Sequence, residues 1–382
     1  MRLLRKIMII LLVVAACLAL GVYIFIQQPM FGRMPTGERL LKVQASPNFR
    51  DDKFQNLSHT PDLAEDATYL RIMRDFLFRK SARSSPGDTL PSLKTDLRSL
   101  DPSDNVIIWF GHSSFYMQLD GKKFLVDPVF SGAASPLTFT TRSFPGTDIY
   151  TVKDLPDLDY LLITHDHWDH LDYETILQLK SKVRKVITGL GTGEHLEYWG
   201  YDSDKIIERD WNEDAVTEEG YTISLLPARH FSGRGFKRNQ ALWVSFVIRG
   251  PKHSVYVGGD SGYDDHFKEI GEQYGPFDLA LLECGQYNLY WKYIHMMPEE
   301  TAQAAADLNA RKFMPVHWSK FSLAMHAWDE PILRLTAAAA KLNLEVVHPL
   351  IGEPIFLDSV AQFSRWWEPE AVGPAVTSQN DF

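Results

Sequence analysis

Cysteine is almost missing from this chain of 382 residues, which holds only Cys17 and Cys284. Cys17 lies inside a long apolar run and Cys284 in the globular part, so they share no compartment in which to bond, and a disulfide framework is excluded. No cysteine pair has the spacing of a structural zinc site. A run of lysine and arginine is also lacking, and the net charge is −10. A general nucleic-acid binder needs a cationic face to displace counterions from phosphate, so no nucleic-acid partner is expected. With 45% hydrophobic and 23% charged residues, the chain can nevertheless bury a full core.

What is present begins at the N-terminus. Residues 7–26 carry no charge, and about 20 helical residues at 1.5 Å rise match the ~30 Å hydrocarbon thickness of a bilayer. Arg2, Arg5 and Lys6 precede this run, and the positive-inside rule keeps them cytoplasmic, so the remainder is expected outside the cytoplasm, periplasmic or extracellular. The expected reading of 1–28 is an uncleaved signal-anchor. Two rivals are ordinary signal cleavage and lipidation of Cys17, because Val14-Ala15-Ala16-Cys17 resembles a bacterial lipoprotein site. Lipidation would leave 18–26 as an apolar stretch without purpose.

Residues 29–100 read as an N-terminal extension: Pro29, Gly32, Pro35 and Gly37 mark an irregular linker, 48–60 is loop-like and 81–91 is turn-rich. Leu70, Met73, Phe76 and Leu77 predict a helix within 63–80. From 101 the period changes. Segments 106–110, 114–119 and 123–128 read as consecutive antiparallel strands with a turn at Asp120-Gly121, followed by a strand at 161–164, a helix from 172, a short strand at Val186-Ile187 and a helix start near Gly193. The second half predicts strands at 221–226, 242–249, 254–258, 279–282 and 312–316, helices at 298–308 and 331–342, and a final strand pair near Glu345 and Ile355. Strand-rich halves followed by helices suggest an α+β domain over 101–360, two packed sheets with helices outside, with 361–382 as a C-terminal tail.

The stretch Thr164-His165-Asp166-His167-Trp168-Asp169-His170 follows the apolar run Tyr160-Leu161-Leu162-Ile163. A strand ending in a rigid turn rich in imidazole and carboxylate suits a catalytic metal ion, which needs protein ligands and one open position. In an extended turn, residues two apart face the same way, so His165 and His167 can share one ion while Asp169 and His170 face a second. Three further strand ends offer ligands to complete the set: His230 after 222–226, Asp260 in Gly258-Gly259-Asp260-Ser261-Gly262, and His317 after Met314-Pro315-Val316.

With Trp109-Phe110-Gly111-His112-Ser113-Ser114, Phe124 to Phe130, Lys292-Tyr293-Ile294-His295 and Met297-Pro298-Glu299-Glu300 added, the chain resembles the metallo-β-lactamase-fold hydrolases, most nearly the N-acyl-phosphatidylethanolamine-hydrolysing phospholipase D group. The resemblance spans roughly residues 29 to 355. It implies an αββα sandwich with two zinc ions per chain, His165, His167 and His230 on the first, Asp169, His170 and His317 on the second, and Asp260 bridging both, with the bridging hydroxide as nucleophile. Asp169, Asp260 and His295 are the implied catalytic residues, His295 polarising the phosphate or protonating the leaving alkoxide. Asp127 and His112 are expected to hydrogen-bond ligands. Tyr287, Tyr290, Trp291 and Tyr293 form an aromatic cluster suited to an acyl-chain or headgroup pocket.

The implied activity is phosphodiester hydrolysis of (N-acyl) glycerophospholipids. The expected partners are a phospholipid or other small phosphodiester and the membrane, with a homodimer as an option. The chain departs from the group where Leu289-Tyr290-Trp291-Lys292 replaces a Pro-Arg pair before Trp-Phe, which displaces a cation. A lactonase or other ester or amide hydrolase of the same superfamily is the alternative, and a membrane-anchored binding protein without catalysis the second. Asp260 stands where many β-lactam hydrolases use cysteine, and His167 where di-iron redox relatives use glutamate, so neither chemistry is expected.

Overall fold

The computed structural model describes residues 2–218 and 220–368. The charge-free run is one helix, α1 (Arg2–Ile26), with no residue buried, long and apolar enough to cross a membrane as an anchor or to serve as a signal sequence. The extension is more ordered than its composition predicts. It contains α2 (Gly37–Ala45), a small hairpin of β1 (Phe49–Arg50) and β2 (Lys53–Phe54), and α3 (Tyr69–Phe78), the last shorter than the stretch predicted for it. α2 is invisible in the local pattern because distant carboxylates hold it: Arg39 pairs with Glu194 at 3.0 Å and Glu208 at 2.6 Å.

The first sheet collects β3 (Val106–Trp109), β4 (Phe115–Leu119), β5 (Lys122–Val126), β6 (Leu158–Ile163), β7 (Val183–Gly189) and β8 (Ile206–Arg209), with α4 (Tyr173–Leu179) and α5 (Gly193–Tyr198) between its later strands. The second collects β9 (Glu213–Glu218), β10 (Tyr221–Leu226), β11 (Ser245–Arg249), β12 (Ser254–Val257), β13 (Leu279–Glu283), β14 (Lys312–Val316) and β15 (Glu345–Val346), with α6 (His266–Tyr274), α7 (Pro298–Asp307) and α8 (Glu330–Lys341). The last strand, β16 (Pro354–Phe356), returns to the first sheet beside β3.

The expected pairing of the strands near Glu345 and Ile355 is therefore wrong. β15 runs parallel to β14 while Ile355 lies opposite Ile107. The 242–249 strand is also shorter than expected. Its first residues leave the ladder to bond the other sheet, Leu242 N donating to Leu190 O and Val244 N to Thr164 O.

Each sheet is antiparallel in one half and parallel in the other. Side chains alternate across it with the period of two that a strand imposes. Trp109, Phe124 and Leu162 point into the core between the sheets with Ile223, Phe246 and Leu281. Ile108, Leu125 and Leu161 point outward to meet Ile176 and Leu179 of α4 and Leu196 of α5. Within the stretch expected to be a tail, Trp366 and Trp367 are buried and pack on Trp318 at 5.3 and 6.2 Å; residues 369–382 lie outside the described residues.

Candidate metal centre

The site forms where the C-terminal ends of the parallel strands meet, the usual place for a site in sheets of this kind. The loop after β6 brings His165, His167, Asp169 and His170. The chain after β10 brings His230, that after β12 brings Asp260, and that after β14 brings His317. One ligand atom from each of His165, His167, His230 and Asp260 lies within 4.8 Å of the others, and the same holds for His112, Asp169, His170 and His317. All seven expected metal ligands are thus brought together. A third group, Asp260, Glu283, His295 and His317, adjoins them.

Asp260 joins the two sets. Its Oδ2 lies 3.8 Å from His165 Nε2, 3.7 Å from His230 Nε2 and 3.2 Å from His170 Nε2, while its Oδ1 lies 3.2 Å from His317 Nδ1. Ligand atoms held ~2.0–2.2 Å from one tetrahedral ion stand roughly 3.3–3.6 Å apart, and the distances here, 3.2 to 3.8 Å, bracket that spacing. His167 Nε2, His170 Nε2 and Asp260 Oδ1 are buried with no hydrogen-bond partner. Buried polar atoms without a partner are costly and rare. Three of them converging with neutral imidazoles fit a bound divalent cation.

The electrostatics agree. Burial, then the neighbouring imidazoles, holds His165, His230 and His317 well below the usual histidine range, and burial takes His167 down to about 4. These rings are neutral, as metal ligands must be. Burial also disfavours a charge on His170, but Asp260, Asp169 and Asp127 together raise it. Burial lifts Asp260 to about 6 against the pull of His170.

A surrounding layer of hydrogen bonds orients the ligands. Asp127 Oδ2 lies 2.8 Å from His170 Nδ1, and the same carboxylate accepts from Thr164 N at 2.9 Å and Thr164 Oγ1 at 2.5 Å. His112 Nε2 lies 2.8 Å from Asp169 Oδ2, and Ser113 Oγ 3.0 Å from His317 Nδ1. The sequence points to Asp127 and His112 in these roles. It does not point to Asn56, whose side chain brackets His230 by donating to its carbonyl at 2.8 Å and accepting from its N–H at 3.1 Å. Nor does it point to Arg234, a buried cation that donates to Asp166 O at 2.8 Å and Leu171 O at 2.7 Å, closing the metal-binding loop at both ends.

Glu283 is the third omission. It is fully buried at the end of β13, accepts from Met296 N at 2.9 Å and Ser261 N at 3.2 Å, and lies 2.6 Å from His295 Nδ1. Burial raises it well above the usual carboxyl range, these two donors offsetting part of the rise. An acid directly after the apolar run Leu279-Ala280-Leu281-Leu282 was the available signal, the same signal that marks the other strand ends.

His295 stands 5.0 Å from the His230 ring and 5.2 Å from the His317 ring. The ligands face a cavity of about 320 Å³ whose wall includes His295, Trp291, Arg238 and, from the extension, Leu63, Tyr69 and Ile72. The expected aromatic cluster does not line it as a unit. Trp291 does, but Tyr287 stacks on His326, Tyr290 bonds Asp75 and Tyr293 bonds Glu65. Lys292 pairs with Glu65 at 3.3 Å, and the cation on the cavity wall is Arg238 instead, 3.2 Å from Asp62.

Residues 122–318 match a family model described as a beta-lactamase superfamily domain. An uncharacterized protein of Mycobacterium tuberculosis is 39% identical over 85% of this chain and 88% of its own length. N-acyl-phosphatidylethanolamine-hydrolyzing phospholipase D 1 of Caenorhabditis elegans is 32% identical over 65% of this chain and 76% of its own. Among solved structures, the metallo hydrolase Igni18 of Ignicoccus hospitalis superposes with a TM-score of 0.51 at 22% identity, over 66% of this chain and 97% of that one.

Proposed function

The chain belongs to the β-lactamase superfamily of metallo-hydrolases and is related to the N-acyl-phosphatidylethanolamine-hydrolysing phospholipases D, and from that membership we propose that it hydrolyses phosphodiesters, with (N-acyl) glycerophospholipids as substrates and two zinc ions as cofactor. The observation that supports this reading best is Asp260, a single carboxylate that reaches both sets of imidazoles, its Oδ2 facing His165, His230 and His170 and its Oδ1 facing His317. His165, His167 and His230 would hold one ion, Asp169, His170 and His317 the other, and Asp260 both. Two cations bound there would lower the pKa of a water and neutralise charge on the phosphoryl oxygens.

The chain's own groups do the rest. With its Nδ1 committed to Glu283, His295 has Nε2 left to hold the proton that the leaving alkoxide needs. Arg238, paired with Asp62 on the same wall, offers guanidinium donors to an anionic diester, and Leu63, Ile72, Trp291 and Leu323 give that wall an apolar side suited to acyl chain. α1 would tether the domain to a membrane with the site outside the cytoplasm.

The test is a product-identified screen of the zinc-loaded full chain against N-acyl phosphatidylethanolamine, simple phosphodiesters and lactones, with His167→Ala as blank. Release of phosphatidic acid is the expected result. Turnover of lactones with none of any phosphodiester would overturn the reading in favour of a lactonase.

A further inference from the structure

α3 is an amphipathic helix set the wrong way round. Its one buried residue is an acid, Asp75, which accepts from Tyr290 Oη at 2.5 Å and from Arg74 Nε at 2.8 Å. Its large apolar residues face outward: Tyr69, Leu70, Met73, Leu77 and Phe78 are 67, 72, 56, 68 and 80% exposed. A soluble protein seldom shows water a contiguous apolar patch of this kind unless something covers it.

The charges say what covers it. Arg71, Arg74, Arg79 and Lys80 lie in and just beyond the helix against one acid within it, Asp75, which pairs with Arg74 and Arg79, while Glu65 and Asp66 precede the helix and the chain as a whole carries −10. An apolar stripe bordered by Arg and Lys matches the acyl and phosphate layers of a bilayer surface. A second copy of the chain fits poorly, because a two-fold contact sets a patch against itself and would oppose these cations to each other. α1 is long and apolar enough to keep a bilayer within reach.

We propose that α3 is a membrane-docking element, its outward face seated in the headgroup region of an anionic bilayer. The inference goes beyond the reaction assigned above and does not depend on it. Its position gives it a use, because Tyr69 and Ile72 belong both to the shallow apolar depression on the outside of α3 and to the wall of the metal-site cavity. A docked α3 therefore puts the mouth of the site against the lipid surface.

The experiment uses full-length protein reconstituted into vesicles of phosphatidylcholine with phosphatidylglycerol. In a Cys17→Ser background, where the remaining Cys284 is fully buried, an environment-sensitive dye is attached at Leu70→Cys, at Leu77→Cys, or at Val360→Cys as the control, a position 96% exposed. The dyes on α3 are expected to shift to the blue and to lose intensity to a quencher carried on lipid acyl chains, with no such shift or loss at 360. Dyes at 70 and 77 that remain open to aqueous iodide and untouched by the lipid quencher would overturn the proposal. So would dyes shielded from iodide but unquenched by lipid, with copies cross-linking through position 77, which would assign the face to self-association. Because emission reports where α3 sits and not turnover, a failure of the phospholipase reading leaves this result intact.

Discussion

The Phe31 ring packs edge-on against Trp168, with centroids 5.1 Å apart. Trp168 is the residue between His167 and Asp169, so the chain leaving α1 touches the metal-binding loop itself. On its other side Trp168 carries the Arg234 guanidinium, 3.9 Å from the ring centroid, and Arg234 returns to the same segment by donating to Met30 O at 2.9 and 3.0 Å. Arg33 N donates to His195 Nδ1 at 3.0 Å, and His195 Nε2 lies 3.2 Å from Asp166 Oδ2. Residues 30–33 are thus part of the scaffold of the site, not a slack tether.

Arg234→Met keeps the bulk and removes every donor, leaving the carbonyls of Met30, Asp166 and Leu171 without their partner. Support of this kind around a metal site is typically worth about 10–100-fold in metal affinity. A chelator-competition titration should show zinc binding weakened by about that factor. Unchanged affinity would mean that the loop holds its shape alone.

Glu283→Gln tests the pairing with His295. The amide oxygen can keep the bonds from Met296 N and Ser261 N, but the amide group facing His295 Nδ1 can only donate, so the ring loses a partner able to accept an Nδ1 proton and stabilise the imidazolium. Turnover should fall by ~10²-fold or more, the usual weight of one acid–base group. Metal content and the melting temperature should stay near wild type. Loss of zinc would instead make Glu283 a structural prop of Asp260 and His317.

Gly259 has a left-handed φ of 61°, and a Cβ there would stand 3.0 Å from Thr164 Cβ and 3.1 Å from Val244 O. The position abuts the residue that opens the metal-binding loop and precedes Asp260. Gly259→Ala should cost about 1–3 kcal/mol from backbone strain alone and lower the melting temperature in calorimetry. An unshifted melting temperature would show that the loop can move aside.

Much of the site was legible because its ligands sit where apolar runs stop. His165, His230, Asp260 and His317 each follow a strand whose pattern is plain in the sequence, and Asp127 does too. What was missed is held by long-range partners. Asn56 and Arg234 act through backbone atoms far away in sequence, which no local period records. α2 depends on Arg39 reaching Glu194 and Glu208, and β16 is defined by its pairing with β3 across most of the chain. α3 shows the opposite failure: its spacing marks a helix correctly, yet spacing cannot say which face turns inward, and here Asp75 and Tyr290 decide it.

Chelation should destabilise the protein, and Asp260 should decide by how much. In the metal-free state the cluster buries neutral imidazoles against carboxylates with atoms such as His167 Nε2 and Asp260 Oδ1 unpartnered, so bound metal stabilises by mass action alone, about 2.7 kcal/mol per site at a hundredfold excess over Kd. Calorimetry with excess zinc and then with excess chelator should therefore give two well-separated melting temperatures. Asp260→Asn removes the charge that faces both sets of imidazoles, so the separation should shrink and activity should vanish. Its chelated form should melt near chelated wild type, because the amide relieves the burial cost that pushes Asp260 up to about 6 while depriving His170 of the carboxylate that does most to raise it. If the variant instead keeps the full separation, Asp260 is not a shared ligand and the assignment of two ions to this site fails.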